Sequence, residues 1–297
     1  GSTNCSDRNS SSLIREALAS GVQTLDVSYL IRLMDSPSAV LDADQDRVHS
    51  FIVSAIRETS GPRYFCITGL AGSGKTHLLK KILDELSDTK KITLCWAGVA
   101  ARHLSSDART VMSYCGLQYD CSGVPGDNAF MRSPAVLTQR MVEGLRLRRL
   151  QDIVSDQAIL VLDELQAIQA SVFDALSSAF KQLRSGRPGS ELPFGGMPVI
   201  VTGDPCQLGR VPFRESTAYS EVDFPTKPCW ETDTWREMDP AVFYLTAFHR
   251  GQDGQFFQML SEIRKTSDND KGIPKFSAAS ESVLQRIRDR DAGSKAP

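Results

Sequence analysis

The sequence predicts an α/β fold in which helices cover a doubly wound, mostly parallel sheet. Four short apolar runs are rich in β-branched or aromatic residues, end in glycine or an acidic residue, and lie at 63–69, 91–98, 157–164 and 197–204. Stretches with helical periodicity lie between them, at 75–87 and 171–184. Strands buried on both faces need not alternate apolar and polar residues, so continuous apolar runs alternating with helices indicate a parallel sheet.

The first predicted strand leads into GLAGSGKT, residues 69–76, which opens the first predicted helix. Gly, four residues, Gly, Lys and Thr between a strand and a helix are typical of a phosphate loop, whose amides converge on nucleotide phosphates at a helix N-terminus. An ordinary glycine-rich turn is the alternative, and the Lys-Thr pair and both flanking elements argue against it. We therefore expect a nucleotide site formed by Gly69, Ala71, Gly72, Ser73, Gly74, Lys75 and Thr76.

Within this loop, we expect Lys75 to contact the β- and γ-phosphates of ATP and Thr76 to coordinate Mg²⁺. Asp163 and Glu164 end the third predicted strand, at the edge of the sheet where the loop also lies. Asp163 is therefore the expected second Mg²⁺ ligand, and Glu164 is the expected base that orients or deprotonates the attacking water. An acidic pair at a strand end also occurs as a helix cap, but the upstream loop favours the metal and base roles.

Three more polar residues are candidates for the same site. Gln207, in VTGDPCQL after the fourth predicted strand, could reach the γ-phosphate or the water. Arg250, in AFHRGQDGQF, could stabilise charge that develops during phosphoryl transfer, and a surface salt bridge is an equally good interpretation. Gln45 starts a predicted helix before the first strand, and its amide could bond both the donor and the acceptor edge of adenine, although exposure is the default for a helical glutamine.

The composition is that of an ordinary globular chain. Of the 297 residues, 41% are hydrophobic and 24% are charged, and the length suggests two domains. The net charge of -2 gives no global signal for nucleic-acid binding, and no apolar run approaches the roughly 20 residues that cross a bilayer. Seven scattered cysteines without a Cys-x-x-Cys pair predict reduced thiols in an intracellular compartment and argue against a zinc site. Cys66 and Cys95, inside predicted strands, are expected in the core.

Other segments interrupt the alternation of strands and helices. Residues 104–150 contain Gly, Pro, Ser and Asn and predict a small insertion, in which the basic stretch 146–151 is better explained as a solvated helix face than as a binding patch. The polar segment 1–37, which opens on the Gly-Ser typical of a cloning scar, is expected to be flexible, as is the polar tail from Thr266. Before the tail, the pattern predicts a strand at 242–248 and an amphipathic helix at 254–265.

In their order along the chain, these segments resemble the Pif (petite integration frequency) family of superfamily-one DNA helicases, close relatives of the RecD helicases. The most specific resemblance lies at 173–208, where FDALSSAFKQLR is followed by LPFGGMPVIVTGDPCQL, similar to the family signature and the third helicase motif. DADQDRV resembles the adenine-reading Q motif, WAGVAARHL a nucleic-acid motif, and LTAFHRGQDGQFFQMLSEIR the fourth motif. Together the segments cover about residues 38–265.

This resemblance implies a RecA-like first motor domain of the P-loop NTPase class at 38–241, with the insertion inside 104–150, and the start of a second motor domain at 242–297. It also implies an ATP-dependent DNA helicase that uses Mg²⁺, moves from 5′ to 3′ and acts on single-stranded or forked DNA. In a eukaryote, such a protein would act in the nucleus or the mitochondrion.

Departures from the family pattern fall mainly on the DNA-contacting motifs. Trp96 and Ala97 replace a Pro-Thr pair, residues 110–112 (Thr-Val-Met) replace Thr-x-His, and residues 207–211 replace Gln-Leu-Pro-Pro-Val. The later helicase motifs have no counterpart after residue 265, which predicts that the chain carries the front part of a helicase. The alternative is a Pif-derived nucleotide-binding module that binds nucleic acid or protein without unwinding. A P-loop kinase is disfavoured, because it has no need of PFGG or GDPCQL.

Overall fold

Six parallel strands form one sheet in the described part of the protein. The computed structural model describes residues 40–58, 61–117, 134–207, 228–249, 254–263 and 276–293. The strands are β1 (Tyr64–Gly69), β2 (Lys90–Cys95), β3 (Arg109–Thr110), β4 (Ala158–Asp163), β5 (Val199–Thr202) and β6 (Ala241–Leu245). They pair in the spatial order β3-β2-β4-β5-β1-β6, and every pair is parallel. The predicted α/β fold is confirmed.

The four apolar runs predicted as strands are β1, β2, β4 and β5, and no end is shifted by more than three residues. Each of the six residues of β4 is buried, which explains why its sequence does not alternate. Cys66 and Cys95 are buried in β1 and β2 as predicted, and burial raises the pKa of each thiol to about 12.

The last strand, β6, extends the same sheet. It pairs with β1 along its whole length and places Leu245 opposite Gly69. The domain boundary expected at residue 242 therefore falls inside a strand that pairs with β1. Within the described residues, Leu245 is the last residue of the sheet.

Helices cover both faces of the sheet. On one face α1 (Ala43–Glu58) packs against α2 (Lys75–Glu85), and the ring of Phe51 contacts that of Phe65 in β1. On the other face α5 (Pro134–Arg148) packs against α7 (Ala170–Leu183) over the larger core. The remaining helices are α3 (Gly98–Leu104), α4 (Val111–Cys115), α6 (Leu150–Val154), α8 (Asp233–Met238), α9 (Gly254–Ile263) and α10 (Ala278–Gly293). In the described ranges, no helix combines the length and apolar character needed to cross a bilayer.

The helix α5 lies within the stretch predicted as an insertion. The side chains that it buries completely in the core are Leu137, Met141 and Leu145. Its close approach to α4 depends on Gly144, because a Cβ there would lie 2.1 Å from the carbonyl oxygen of Cys115. The described part of 104–150 is thus integrated with the core, and residues 118–133 lie outside the described residues. Residues 146–148 are exposed. The interpretation of this stretch as a solvated helix face stays a prediction, because a binding patch would be exposed as well.

Polar contacts join α9 to α10. Glu262 of α9 accepts a hydrogen bond from the backbone amide of Ser277 at 2.9 Å, and this bond, with those from Ser280 and Gln258, lowers the pKa of Glu262 to about 2. The low order predicted for the tail is therefore wrong for α10. Its sequence is polar and the buried Val283 gives only a weak apolar pattern, which conceals the helix.

Candidate nucleotide-binding site

The loop between β1 and α2 has the backbone of a phosphate cradle. Gly69, Gly72 and Gly74 have φ angles of 149°, 81° and 81°, a region that residues with a Cβ rarely adopt. Gly69 is also confined by packing, because a Cβ there would lie 2.6 Å from the carbonyl oxygen of Leu245. Gly74 is the N-cap of α2, so the loop leads directly to the amide groups of the first helical turn. The loop therefore supplies the backbone donors that phosphate requires.

The side chain of Lys75 lies over this loop. Its ammonium donates hydrogen bonds to the carbonyl oxygens of Gly69 at 2.9 Å and Leu70 at 3.0 Å. The next residue, Thr76, is exposed in the first turn of α2, which contains no acidic residue. The buried hydroxyl of Ser73 has no hydrogen-bond partner within the described ranges. The ammonium and the helix N-terminus therefore act together on an anion, and these residues fit the phosphates of a nucleotide.

Two segments that are distant in sequence reach the loop. Gln45, in the first turn of α1, is buried, and its Nε2 donates a hydrogen bond to the carbonyl oxygen of Ser73 at 3.2 Å. The backbone amide of His249 donates to the carbonyl oxygen of Gly72 at 2.8 Å. The default expectation of an exposed Gln45 is therefore wrong, because the loop packs against its amide. Arg250 follows His249 directly and lies outside the described residues.

Asp163 and Glu164 follow β4 in different environments. Asp163 is buried, and its Oδ1 accepts hydrogen bonds from the backbone amide of Glu164 at 2.9 Å and from the hydroxyl of Thr202. Glu164 is half-buried and has a φ of 56°, a left-handed conformation that is uncommon outside glycine. Burial raises the pKa of Glu164, the charge of Asp163 raises it further, and the charge of His103 opposes both. A carboxylate with a raised pKa beside a second carboxylate that two hydrogen bonds hold in place suits a base beside a metal ligand.

Gln207 lies in the turn that follows β5. Its Nε2 donates to Oδ2 of Asp204 at 3.0 Å, while Oδ1 of Asp204 accepts from the backbone amide of Cys206 at 3.1 Å. Asp204 is fully buried, and its own amide donates to Oε1 of Gln166 at 3.1 Å. The sequence did not single out Asp204, Gln166 or Thr202, because their pattern is that of ordinary residues at a strand end or in a turn. The one available signal was that the fourth predicted strand ends in an acidic residue, Asp204.

These side chains meet at one edge of the sheet. β1 and β4 flank β5, and neighbouring strands lie about 4.8 Å apart, so the ends of β1 and β4 are about 10 Å apart. The phosphate loop, the carboxylate pair and Gln207 therefore follow three adjacent strands at their carboxyl ends, where doubly wound sheets bind ligands. Thr76 and Asp163 carry the oxygen ligands that Mg²⁺ takes beside phosphate oxygens. The arrangement can bind a nucleoside triphosphate and present its γ-phosphate to a base.

Comparison with known proteins identifies the family. A family model described as PIF1-like helicase matches residues 40–268. This chain belongs to the PIF1-like helicase family. The human ATP-dependent DNA helicase PIF1 is 29% identical over 197 residues, which are 66% of this chain and 26% of that protein. The PIF1 helicase of Xenopus laevis is 28% identical over 256 residues, which are 86% of this chain and 34% of that protein.

A solved PIF1-like structure has the same fold. The crystal structure of the Pif1 helicase from Candida albicans aligns with a TM-score of 0.58 and 20% identity, covering 78% of this chain and 46% of that one. The chain therefore spans less than half the length of each of these helicases. The resemblance to the Pif family and the expected RecA-like fold are confirmed, and the matched range 40–268 includes every residue of the candidate site.

Proposed function

We propose that the chain is the ATP-hydrolysing first motor domain of a PIF1-like DNA helicase, which couples hydrolysis to movement along DNA. The observation that supports this most is the meeting of the phosphate loop, the pair Asp163–Glu164 and Gln207 at one edge of the sheet. Gln45 and His249 are attached to the same loop from outside. A protein that only binds a nucleotide has no need of a carboxylate with a raised pKa at this edge.

Each residue of the proposed site has a chemical task. Lys75 would exchange its carbonyl partners for the β- and γ-phosphate oxygens of ATP, because a charged phosphate is the stronger acceptor. Thr76 and Asp163 would hold Mg²⁺, which neutralises phosphate charge when bound. The hydrogen bond from Thr202 keeps the Asp163 carboxylate in one orientation. Glu164 would orient or deprotonate the attacking water.

Three further residues complete the proposed site. Gln45 would bond adenine, and its hydrogen bond to Ser73 links adenine recognition to the position of the loop. Gln207 would contact the γ-phosphate or the attacking water from the neighbouring turn. Arg250 would stabilise the charge that develops during phosphoryl transfer. The residue before it, His249, donates a backbone hydrogen bond to the loop.

The proposed nucleic acid is single-stranded or forked DNA, with movement from 5′ to 3′. The relatives named ATP-dependent DNA helicases support DNA as the substrate. The direction of movement rests on the family resemblance alone. Because movement requires two motor domains that close on ATP, the first motor domain by itself should unwind DNA poorly.

Titration with a fluorescent ATP analogue tests nucleotide binding. Lys75→Ala removes the ammonium that lies over the loop, and losing a charge-assisted phosphate contact should weaken binding at least about tenfold. Lys81→Ala, further along α2, is the matched control and should bind as the wild type does. Equal affinities for the wild type and the Lys75→Ala variant would contradict the assignment.

A second candidate is a nucleotide-binding module that engages nucleic acid or protein without unwinding. Trp96 and Met112, at positions where the resemblance places DNA contacts, pack against the core instead. Thr110 caps α4 by accepting a hydrogen bond from the backbone amide of Ser113 at 3.1 Å. These side chains therefore contact other parts of the protein rather than pointing freely into solvent. This favours a binding mode in which DNA contacts differ from those that the resemblance implies.

ATPase assays with and without single-stranded DNA distinguish the two candidates. A helicase motor should hydrolyse ATP in the presence of Mg²⁺ and be stimulated by DNA. A binding module should keep its affinity for the ATP analogue and show no DNA-dependent hydrolysis.

A further inference from the structure

One side chain joins the turn after β4 to the turn after β5. Oε1 of Gln166 accepts a hydrogen bond from the backbone amide of Asp204 at 3.1 Å. Gly203 permits this contact, because a Cβ there would lie 2.8 Å from Oε1 of Gln166 and 3.2 Å from the Cβ of Leu165. The turn that carries the proposed base therefore touches the turn that carries Gln207.

Asp204 extends this contact to Gln207. Its fully buried carboxylate accepts hydrogen bonds from Nε2 of Gln207 at 3.0 Å and from the backbone amide of Cys206 at 3.1 Å. A buried carboxylate keeps its donors, because an unpaired charge away from water is strongly unfavourable. The orientation of the Gln207 amide thus depends on Asp204, and the position of Asp204 depends on Gln166.

We propose that Gln166 is a positioning residue that sets the Gln207 amide relative to Glu164. Gln207 then contacts the γ-phosphate at the point where Glu164 orients the attacking water. This inference rests on the proposed ATP hydrolysis. Gln166 acts through Asp204 and Gln207, while its own turn begins at Glu164 with a φ of 56°. A non-glycine residue keeps a left-handed backbone only where its surroundings impose that conformation. The hydrogen bond between Gln166 and Asp204 therefore also helps to hold Glu164, two residues before Gln166, in place.

The ratio of the dissociation constants for ADP and for a non-hydrolysable ATP analogue measures the contact with the γ-phosphate. Gln207→Ala removes this contact directly and should lower the ratio about tenfold, as expected for one hydrogen bond to a charged group. Gln166→Met keeps the length of the side chain and removes its acceptor, and it should lower the ratio about fivefold. The double variant should match Gln207→Ala alone, because Gln166 acts through Gln207.

Two further variants separate positioning from simple stabilisation. Gln166→Glu keeps an acceptor oxygen at the same reach and should retain more of the ratio than Gln166→Met. Gln139→Met, an exposed glutamine of α5, is the matched control and should leave the ratio unchanged. If Gln166 were only structural, Gln166→Met would lower the unfolding midpoint and weaken both nucleotides equally, which would overturn the inference.

Other outcomes test the inference and the proposed function separately. Additive losses in the double variant would show that the two glutamines act independently, which overturns the inference alone. If Gln207→Ala left the ratio of dissociation constants unchanged, Gln207 would not contact the γ-phosphate, and the inference would fail. If the wild-type chain binds neither nucleotide, the proposed function fails, and this inference fails with it.

Discussion

Gly74→Ala is the substitution that most directly tests how the phosphate loop is built. Gly74 has a φ of 81°, and a Cβ there would lie 2.3 Å from Nε2 of Gln45 and 3.3 Å from Cδ2 of His249. The first distance is far inside van der Waals contact, so the amide of Gln45 must move. It then loses its hydrogen bond to the carbonyl oxygen of Ser73.

The expected loss of stability has two contributions. The left-handed backbone disfavours alanine by about 1 kcal/mol. Displacing the buried Gln45 amide removes one hydrogen bond and forces repacking, which together contribute about 2 kcal/mol. We therefore expect the free energy of unfolding to fall by about 3 kcal/mol. Because the cradle itself is distorted, affinity for the ATP analogue should fall at least about tenfold.

Gly186→Ala is the matched control for Gly74→Ala. Its φ is 85°, and apart from its chain neighbours no heavy atom of the described residues lies within 4 Å of the position that a Cβ would take. It should therefore carry only the backbone contribution of about 1 kcal/mol and leave nucleotide affinity unchanged. Urea unfolding followed by tryptophan fluorescence, together with analogue titration, measures both quantities. Equal losses of stability and affinity in the two variants would refute the reasoning. It would also be refuted if Gly74→Ala cost as much stability in a Gln45→Ala variant, where the clashing amide is absent, as in the wild type.

Arg184→Met should lower the free energy of unfolding by about 3 kcal/mol in urea titrations, because this buried guanidinium donates to the carbonyl oxygens of Ile153, Ser155 and Gly195. Arg187→Met, which removes a surface ion pair with Asp156, should lower it by at most about 1 kcal/mol, and equal losses would contradict the role of burial. ATPase activity should fall as the pH drops through the raised pKa of Glu164, because only the carboxylate can act as a base. His103→Ala removes the charge that lowers this pKa and should move the acid limb to higher pH, whereas an unmoved limb would argue against Glu164 as the base.

The features that could be predicted from the sequence depend on local patterns. β4 is apolar throughout because both of its faces are covered, and Lys75 occupies a fixed place in the loop motif. The contact of Gln45 with Ser73 joins residues 28 positions apart, and nothing in the helix around Gln45 marks it as buried. Only the packing of α1 against α2 brings its amide to the loop.

The interactions that could not be predicted are those of buried polar groups with distant backbone. Arg184 follows a helix whose pattern was recognised, yet its guanidinium donates to distant carbonyl oxygens. These belong to Ile153 in α6, Ser155 just after it, and Gly195 in the turn before β5. Asp204 and Gln166 meet because β5 lies beside β4, although 35 residues separate the end of one strand from the start of the other. α10 was missed for a related reason, since Glu262 stabilises its N-terminus through a hydrogen bond to Ser277.

Two segments that are distant in sequence are hydrogen-bonded to the phosphate loop. β1, which leads into the loop, lies between β5 and β6, and α1 covers the same face as α2. Gln45 reaches the loop from α1, and His249 reaches it from the segment after β6. We therefore expect a change in the position of the loop on phosphate binding to be transmitted to α1 through Gln45, and to the segment after β6 through His249.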